Sequence, residues 1–137
     1  MGVHSLGAIF IRVSNLENSI PFYSALGLRF RGIEDWDPGR AATFYLLPDH
    51  DGFPLMTLVE SDKVQVLEYH SYNLNATNVR EIYRDLELSG YKLRPVEEWS
   101  SPWNHHIMFD VYDPDGHPIN IIEVIPINQA QAVQVHR

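Results

Sequence analysis

A chain of 137 residues and 15.8 kDa can hold one domain with a real core and is too short for two independent ones. Hydrophobic residues at 45%, charged residues at 20%, 8 Gly and 9 Pro exclude disorder, collagen and coiled coil. Eighteen acids against ten bases, a net charge of -8, argue against a nucleic-acid footprint or an anionic membrane surface, and the absence of cysteine confines any metal to His, Asp or Glu.

The start of the chain lacks the basic segment and long apolar run of a signal peptide, and no apolar run reaches membrane-spanning length, so the expected location is cytoplasmic with no membrane partner. Ile9, Ile11 and Val13 alternate with Ala8, Phe10 and Arg12, the period-two pattern of a strand. Ser14 or Asn15 can cap a helix with apolar positions Leu16, Ile20, Tyr23 and Leu26, and Gly27 suits the left-handed position that ends it. Pro21 costs a backbone bond unless it falls in the first turn, which would move the helix start beyond Asn15. Strands are expected over Leu28–Ile33, Ala41–Leu47 and Leu55–Glu60, the last two separated by the turn residues Pro48 to Gly52.

The second half follows the same order. Asn78 caps a helix with the stripe Val79, Ile82, Tyr83 and Leu86 before Gly90. Strands are expected over Tyr91–Leu93, His106–Tyr112 and Pro118–Val124, and Asp113-Pro114-Asp115-Gly116 carries the chemistry of a type I turn. A constant shift of 63 residues, without a gap, superimposes Gly27 on Gly90, Glu34-Asp35-Trp36 on Glu97-Glu98-Trp99, and Leu58-Val59-Glu60 on Ile121-Ile122-Glu123. The chain therefore reads as a single domain built from a βαβββ module twice, residues 6–62 and 63–125, with a Gln-rich tail over 126–137 that can be a mobile arm or a contact to a partner chain.

Val13-Ser14-Asn15-Leu16-Glu17-Asn18-Ser19-Ile20-Pro21-Phe22-Tyr23 with Leu26-Gly27-Leu28 resembles the opening of the vicinal oxygen chelate superfamily of glyoxalase, bleomycin-resistance and extradiol dioxygenase proteins. Asp113-Pro114-Asp115-Gly116-His117-Pro118-Ile119-Asn120 is similar to its closing hairpin, and the likeness covers roughly residues 6–125. The resemblance implies an α+β fold in which two βαβββ modules form a curved, cup-shaped mixed sheet with helices on the convex side and a ligand in the concave cavity. Strand phase then sends Ile9, Ile11, Val13, Phe44, Leu46, Met56, Leu58, Leu74, Ile107, Phe109, Val111, Ile119 and Ile121 toward the helices. The opposite phase supplies the expected ligand-binding residues Phe10, Arg12, Tyr45, Thr57, Ser71, Asn73, His106, Met108, Asp110 and Asn120. Trp36 and Trp99, in acidic loops with Trp103 nearby, either stack on a planar ligand at the pocket mouth or cover sheet edges.

Metal-dependent relatives carry His, Gln or Glu on the first and last strands of each module, and the resemblance assigns those positions to Ala8, Thr57, Ser71 and Asn120. None is a good ligand for a divalent ion. The expected function is therefore binding of a small organic molecule with no metal cofactor, and the expected assembly is a homodimer. The alternative is a metal-dependent lyase or isomerase of glyoxalase type, with a divalent ion displaced onto His70, swung inward by a bulge, together with His106 and Asp110. Metal-free acid–base work by His106 or Asp110 is a third option; about 13 Å apart along one strand face, they are not expected to touch. Glu123, matched with Glu60, is expected to be a charge outside the cavity near a strand end, His105 to be a partly exposed strand residue, and His4, His50, His117 and His136 to be surface residues.

Overall fold

The structure is a computed structural model that describes residues 2–3, 7–36, 39–46 and 54–127. The turn at 48–52, residue Leu47, the histidines His4, His50 and His136, and the tail from 128 onward lie outside the described residues. The chain divides into two compact units, Met1–Val66 and Leu67–Arg137. Both are α+β, each a four-stranded mixed sheet with one helix.

In the first unit, β1 (Ile9–Val13) leads to α1 (Leu16–Ala25), followed by β2 (Arg29–Asp35), β3 (Arg40–Tyr45) and β4 (Met56–Glu60). The sheet order is β1-β4-β3-β2, with β1 parallel to β4 and the other pairs antiparallel. Val13, Leu16, Phe22, Tyr23, Phe44, Met56 and Leu58 are buried, so the apolar phase of the strands meets the helix as the alternation requires. Leu46 departs from that expectation and is exposed. Helix α1 begins at Leu16, and the Asn15 side chain accepts from the Asn18 N–H at 3.0 Å. Pro21 sits inside the helix, tolerated although it has no N–H to give to the preceding turn.

The second unit repeats this plan: β5 (Asn73–Asn75), α2 (Val79–Leu88), β6 (Glu97–Ser100), β7 (Asn104–Tyr112) and β8 (Pro118–Pro126), in the sheet order β5-β8-β7-β6. Leu74, Val79, Leu86, Phe109, Val111, Ile119 and Ile121 form its core. Both helices end on a left-handed glycine, Gly27 at φ 103° and Gly90 at φ 87°. The N–H of Leu28 reaches back to Tyr23 O and that of Tyr91 to Leu86 O, closing the last turn. Gly90→Ala is therefore expected to cost about 1 kcal/mol, because a Cβ penalises that conformation, read as a lower urea midpoint at constant m-value.

Three local expectations are corrected. The strand placed over Tyr91–Leu93 is reduced to a single bridge, Leu93 to Val111, and the edge strand forms instead at Glu97–Ser100. Trp99 is thus a strand residue rather than a loop residue. Asn78 does not cap α2 with its side chain; it adopts φ 57°, ψ 47°, and no side-chain cap bond forms. The cap comes from across the sheet, where Glu123 Oε1 accepts the Val79 N–H at 3.2 Å. In the first unit Glu60 Oε2 accepts the Leu16 N–H at 3.0 Å. Each module thus uses the acid of its last strand to satisfy an orphan donor at the helix start, where negative charge is also favoured by the helix dipole. Among the described residues no helix is long and apolar enough to cross a membrane.

Candidate functional site

The second unit holds a concave pocket of about 230 Å³. Its floor comes from the centre of the sheet: Met108, Phe109 and Asp110 on β7 and Asn120 on β8, with Asp110 and Asn120 directly paired in register. Its rim comes from the segments before β5 and before β6: Tyr69 and His70, then Arg94, Pro95 and Glu97.

The polar core of the pocket is a three-residue chain. Asp110 is buried, 7% exposed, a cost that must be met by hydrogen bonds. Asn120 Nδ2 donates to Asp110 Oδ1 at 2.9 Å and, more weakly, to the Phe109 carbonyl at 3.4 Å. His70 Nδ1 lies 3.0 Å from Asp110 Oδ1 and 3.2 Å from Oδ2. A carboxylate only accepts, so Nδ1 carries the proton and Nε2 is left with its lone pair in the neutral ring. Asn120 is 2% exposed, and its Oδ1 is buried with no hydrogen-bond partner, an acceptor that a donor on a bound ligand or a water would complete. Arg94 is exposed at the rim, its backbone N–H donating to the Asp110 carbonyl at 2.9 Å, and no ion pair engages its guanidinium among the described residues.

Met108, Asp110 and Asn120 are thus gathered as the strand phase required, and His70 joins them. The remaining expectations for this unit are corrected. His70 needs no strand bulge: it lies in irregular chain before β5 and comes over the sheet from there. Ser71, on the same irregular segment, is exposed and does not line the pocket, and Asn73, in register beside Asn120, is exposed too. His106 is not part of the pocket lining and does not meet Asp110. It faces Trp99 across the β6–β7 pair and stacks on it, centroids 3.8 Å apart and rings 12° from parallel, with Nδ1 buried and unpartnered. The ligand atoms of His70, His106 and Asp110 do not converge as a metal set. Among the described residues, the acidic and imidazole side chains that do cluster are Asp113, Asp115 and His117. They belong to the hairpin turn, where Asp113 Oδ1 accepts the N–H groups of Asp115 and His117 at 3.0 and 2.8 Å. His105 lies outside the pocket, bonded to Ser100 Oγ at 2.7 Å and to Glu98 at 3.4 Å. The neighbouring Arg80, assisted by His105, holds the Glu98 carboxyl below its ordinary range.

The expected residues of the first unit form their own patch. Phe10, Thr57 and Thr43 are in register across β1, β4 and β3, and the Phe10 and Trp36 rings lie 6.2 Å apart. Arg31, which sequence reasoning missed, organises this face: its Nε donates to Thr43 Oγ1 at 2.9 Å and a terminal nitrogen to the Tyr45 hydroxyl at 3.3 Å. The register slips between Phe30 and Gly32, so simple alternation misplaces Arg31; Gly32 inside a strand was the available signal. Arg12 is exposed at the end of β1. Arg94 and Tyr69 carried no comparable signal, since they lie on irregular segments placed by tertiary contacts.

The family model for the glyoxalase/bleomycin resistance protein/dioxygenase superfamily matches residues 5–121. Solved structures share the fold. TnmS3, an antibiotic-binding protein from Streptomyces sp. CB03234, is 19% identical with a TM-score of 0.68, covering 90% of this chain and 98% of its own. A superfamily member from Sphaerobacter thermophilus is 20% identical with a TM-score of 0.66, covering 88% and 98%. The fosfomycin resistance protein FosX from Listeria monocytogenes is 17% identical with a TM-score of 0.65, covering 88% and 91%. FosX has also been solved with Mn(II) and sulfate. No curated protein matches the sequence.

A divalent ion at the four positions assigned by the resemblance would have to be held by a methyl group, two hydroxyls and an amide. Asn120 offers only a neutral amide oxygen, and Ser71 is not among the residues lining the pocket. That donor set has neither imidazole nor carboxylate and does not fit a divalent metal.

Proposed function

Since the chain belongs to the glyoxalase/bleomycin resistance protein/dioxygenase superfamily, we propose that it binds a small organic anion in the pocket of its second unit, without the divalent metal found in FosX. The observation that carries this reading is Arg94, at the rim of the pocket, with no carboxylate paired to its guanidinium among the described residues. A planar cation with several fixed donors suits a carboxylate or phosphonate group. Asn120 Oδ1 and the apolar lining residues Met108 and Pro95 can receive the rest of the molecule. A soluble, cytoplasmic homodimer is part of the same proposal, and sedimentation equilibrium tests the assembly.

Two measurements test the function. Calorimetric titration with small carboxylates is expected to show binding that Arg94→Ala weakens about tenfold, the loss of one charge-assisted contact at a partly wet rim. Elemental analysis of protein purified without chelator or affinity-column metal is expected to find no stoichiometric nickel, zinc, manganese or iron. Full affinity in Arg94→Ala would remove the anion from the pocket, and one equivalent of bound metal would replace this reading with a metal-dependent one.

A further inference from the structure

We propose that His70 is a catalytic base for metal-free proton transfer, acting on a small 2-oxo carboxylate whose carboxylate pairs with Arg94. This rests on the reading that the pocket takes a small organic anion and adds chemistry to it.

The geometry is that of an oriented base. A general base needs a lone pair facing the substrate and a partner for the charge it acquires. His70 Nδ1–H is committed to Asp110, so the free lone pair is on Nε2, across the ring, where no hydrogen bond engages it among the described residues. The ring is 36% exposed and lines the pocket, so a ligand can reach it. Asp110, buried behind it, stabilises the imidazolium formed on proton uptake. Asn120 holds the carboxylate in place at 2.9 Å, which makes Asp110 and Asn120 positioning residues.

The step balances without any co-reactant. Nε2 takes a proton from the carbon adjoining the ketone, and the C–H electron pair becomes the C=C of an enolate with its charge on the former ketone oxygen. Arg94 neutralises the neighbouring carboxylate, which lowers the electrostatic cost of a second negative charge beside it. The Nε2 proton of the imidazolium, open to solvent, exchanges with water, and the solvent-derived proton is then delivered to carbon, leaving a 2-oxo acid with an exchanged hydrogen and His70 neutral again.

Deuterium uptake tests this directly. Pyruvate, 2-oxobutyrate and phenylpyruvate are incubated with the full chain in D2O containing EDTA, exchange at C3 is followed by proton NMR, and binding is measured in parallel by calorimetry. At least one probe is expected to exchange roughly a hundredfold faster than in buffer. His70→Gln should return that rate to background. Asp110→Asn should lower the rate at least about tenfold while holding the probe's affinity within about twofold, a split that a merely structural role would not produce. Thermal denaturation checks that both variants fold. Binding with exchange at the buffer rate, exchange that survives His70→Gln, or exchange abolished by EDTA overturns the base and leaves anion binding standing. Failure of the wild-type chain to bind any of the three probes overturns both.

Discussion

Phe109→Ala is expected to destabilise the protein by about 4 kcal/mol, the usual cost of emptying a buried phenylalanine site that cannot collapse. Phe109 is 2% exposed and meets the Tyr83 ring of α2 edge-on, centroids 5.2 Å apart. That contact ties α2 to the sheet of the second unit, so the cavity would open where the helix docks. The consequence reaches the pocket. The Phe109 carbonyl accepts from Asn120, and the next residue is Asp110, so a loosened β7 also disorders the chain that aims His70. Urea unfolding should show a lower midpoint at unchanged m-value, and calorimetry at low temperature should show weaker carboxylate binding in the fraction that remains folded. Phe109→Leu, which keeps most of the volume, should cost less than half as much. Equal stability of Phe109→Ala and wild type would mean that the helix is held to the sheet by something else.

Glu60→Ala is expected to cost about 2 kcal/mol, more than the same change at its repeat partner Glu123. Both acids cap a helix, but Glu60 also receives Arg40 through both carboxylate oxygens, at 2.9 and 2.8 Å. Arg40 in turn bonds Glu17 of α1, so the acid ties β3, β4 and the start of α1 together. The Glu60 side chain is 25% exposed, and solvent screening keeps the loss well below that of a fully buried pair. Arg40 first, and the Leu16 N–H second, hold the Glu60 carboxyl below its ordinary value of 4.5. A carboxyl lowered on folding contributes stability that is complete above its unfolded pKa and is lost as the pH falls through the folded one. The gap between wild type and Glu60→Ala should therefore be widest near about pH 7 and shrink below about pH 4. Urea midpoints measured across that range check it, and a gap that grows on acidification would contradict the assigned pairing.

Much of the fold was legible because it is written in local patterns. The alternation of Ile9, Ile11 and Val13, the helical stripe of Val79, Ile82, Tyr83 and Leu86, and the turn Asp113–Gly116 each depend on neighbours a few residues away. Their physics is the same in any tertiary setting. The doubling of the pattern was legible for the same reason, and α1 and α2 start 63 residues apart, at Leu16 and Val79. Where local signals competed, the reading failed. Tyr91–Leu93 is as good a strand on propensity as Glu97–Ser100, and only pairing with β7 chose the second.

The pocket was legible in part. Strand phase alone put Met108, Asp110 and Asn120 on one face, because side chains alternate with a period of two and the β7–β8 register has no slip. It placed His106 on the same strand, correctly in phase, yet could not foresee that Trp99 would take the imidazole as a stacking partner.

By itself, then, the sequence determined the α+β modules, the helix ends at Gly27 and Gly90, and the residues on the inner strand face. Only the tertiary structure decided that His70 and Arg94 come to Asp110 from irregular segments, 40 and 16 residues upstream of it in the chain. It also decided that Glu60 and Glu123, each 44 residues from the N–H it accepts, cap the helices. Such contacts join chain segments with no shared period, so no pattern of neighbours encodes them.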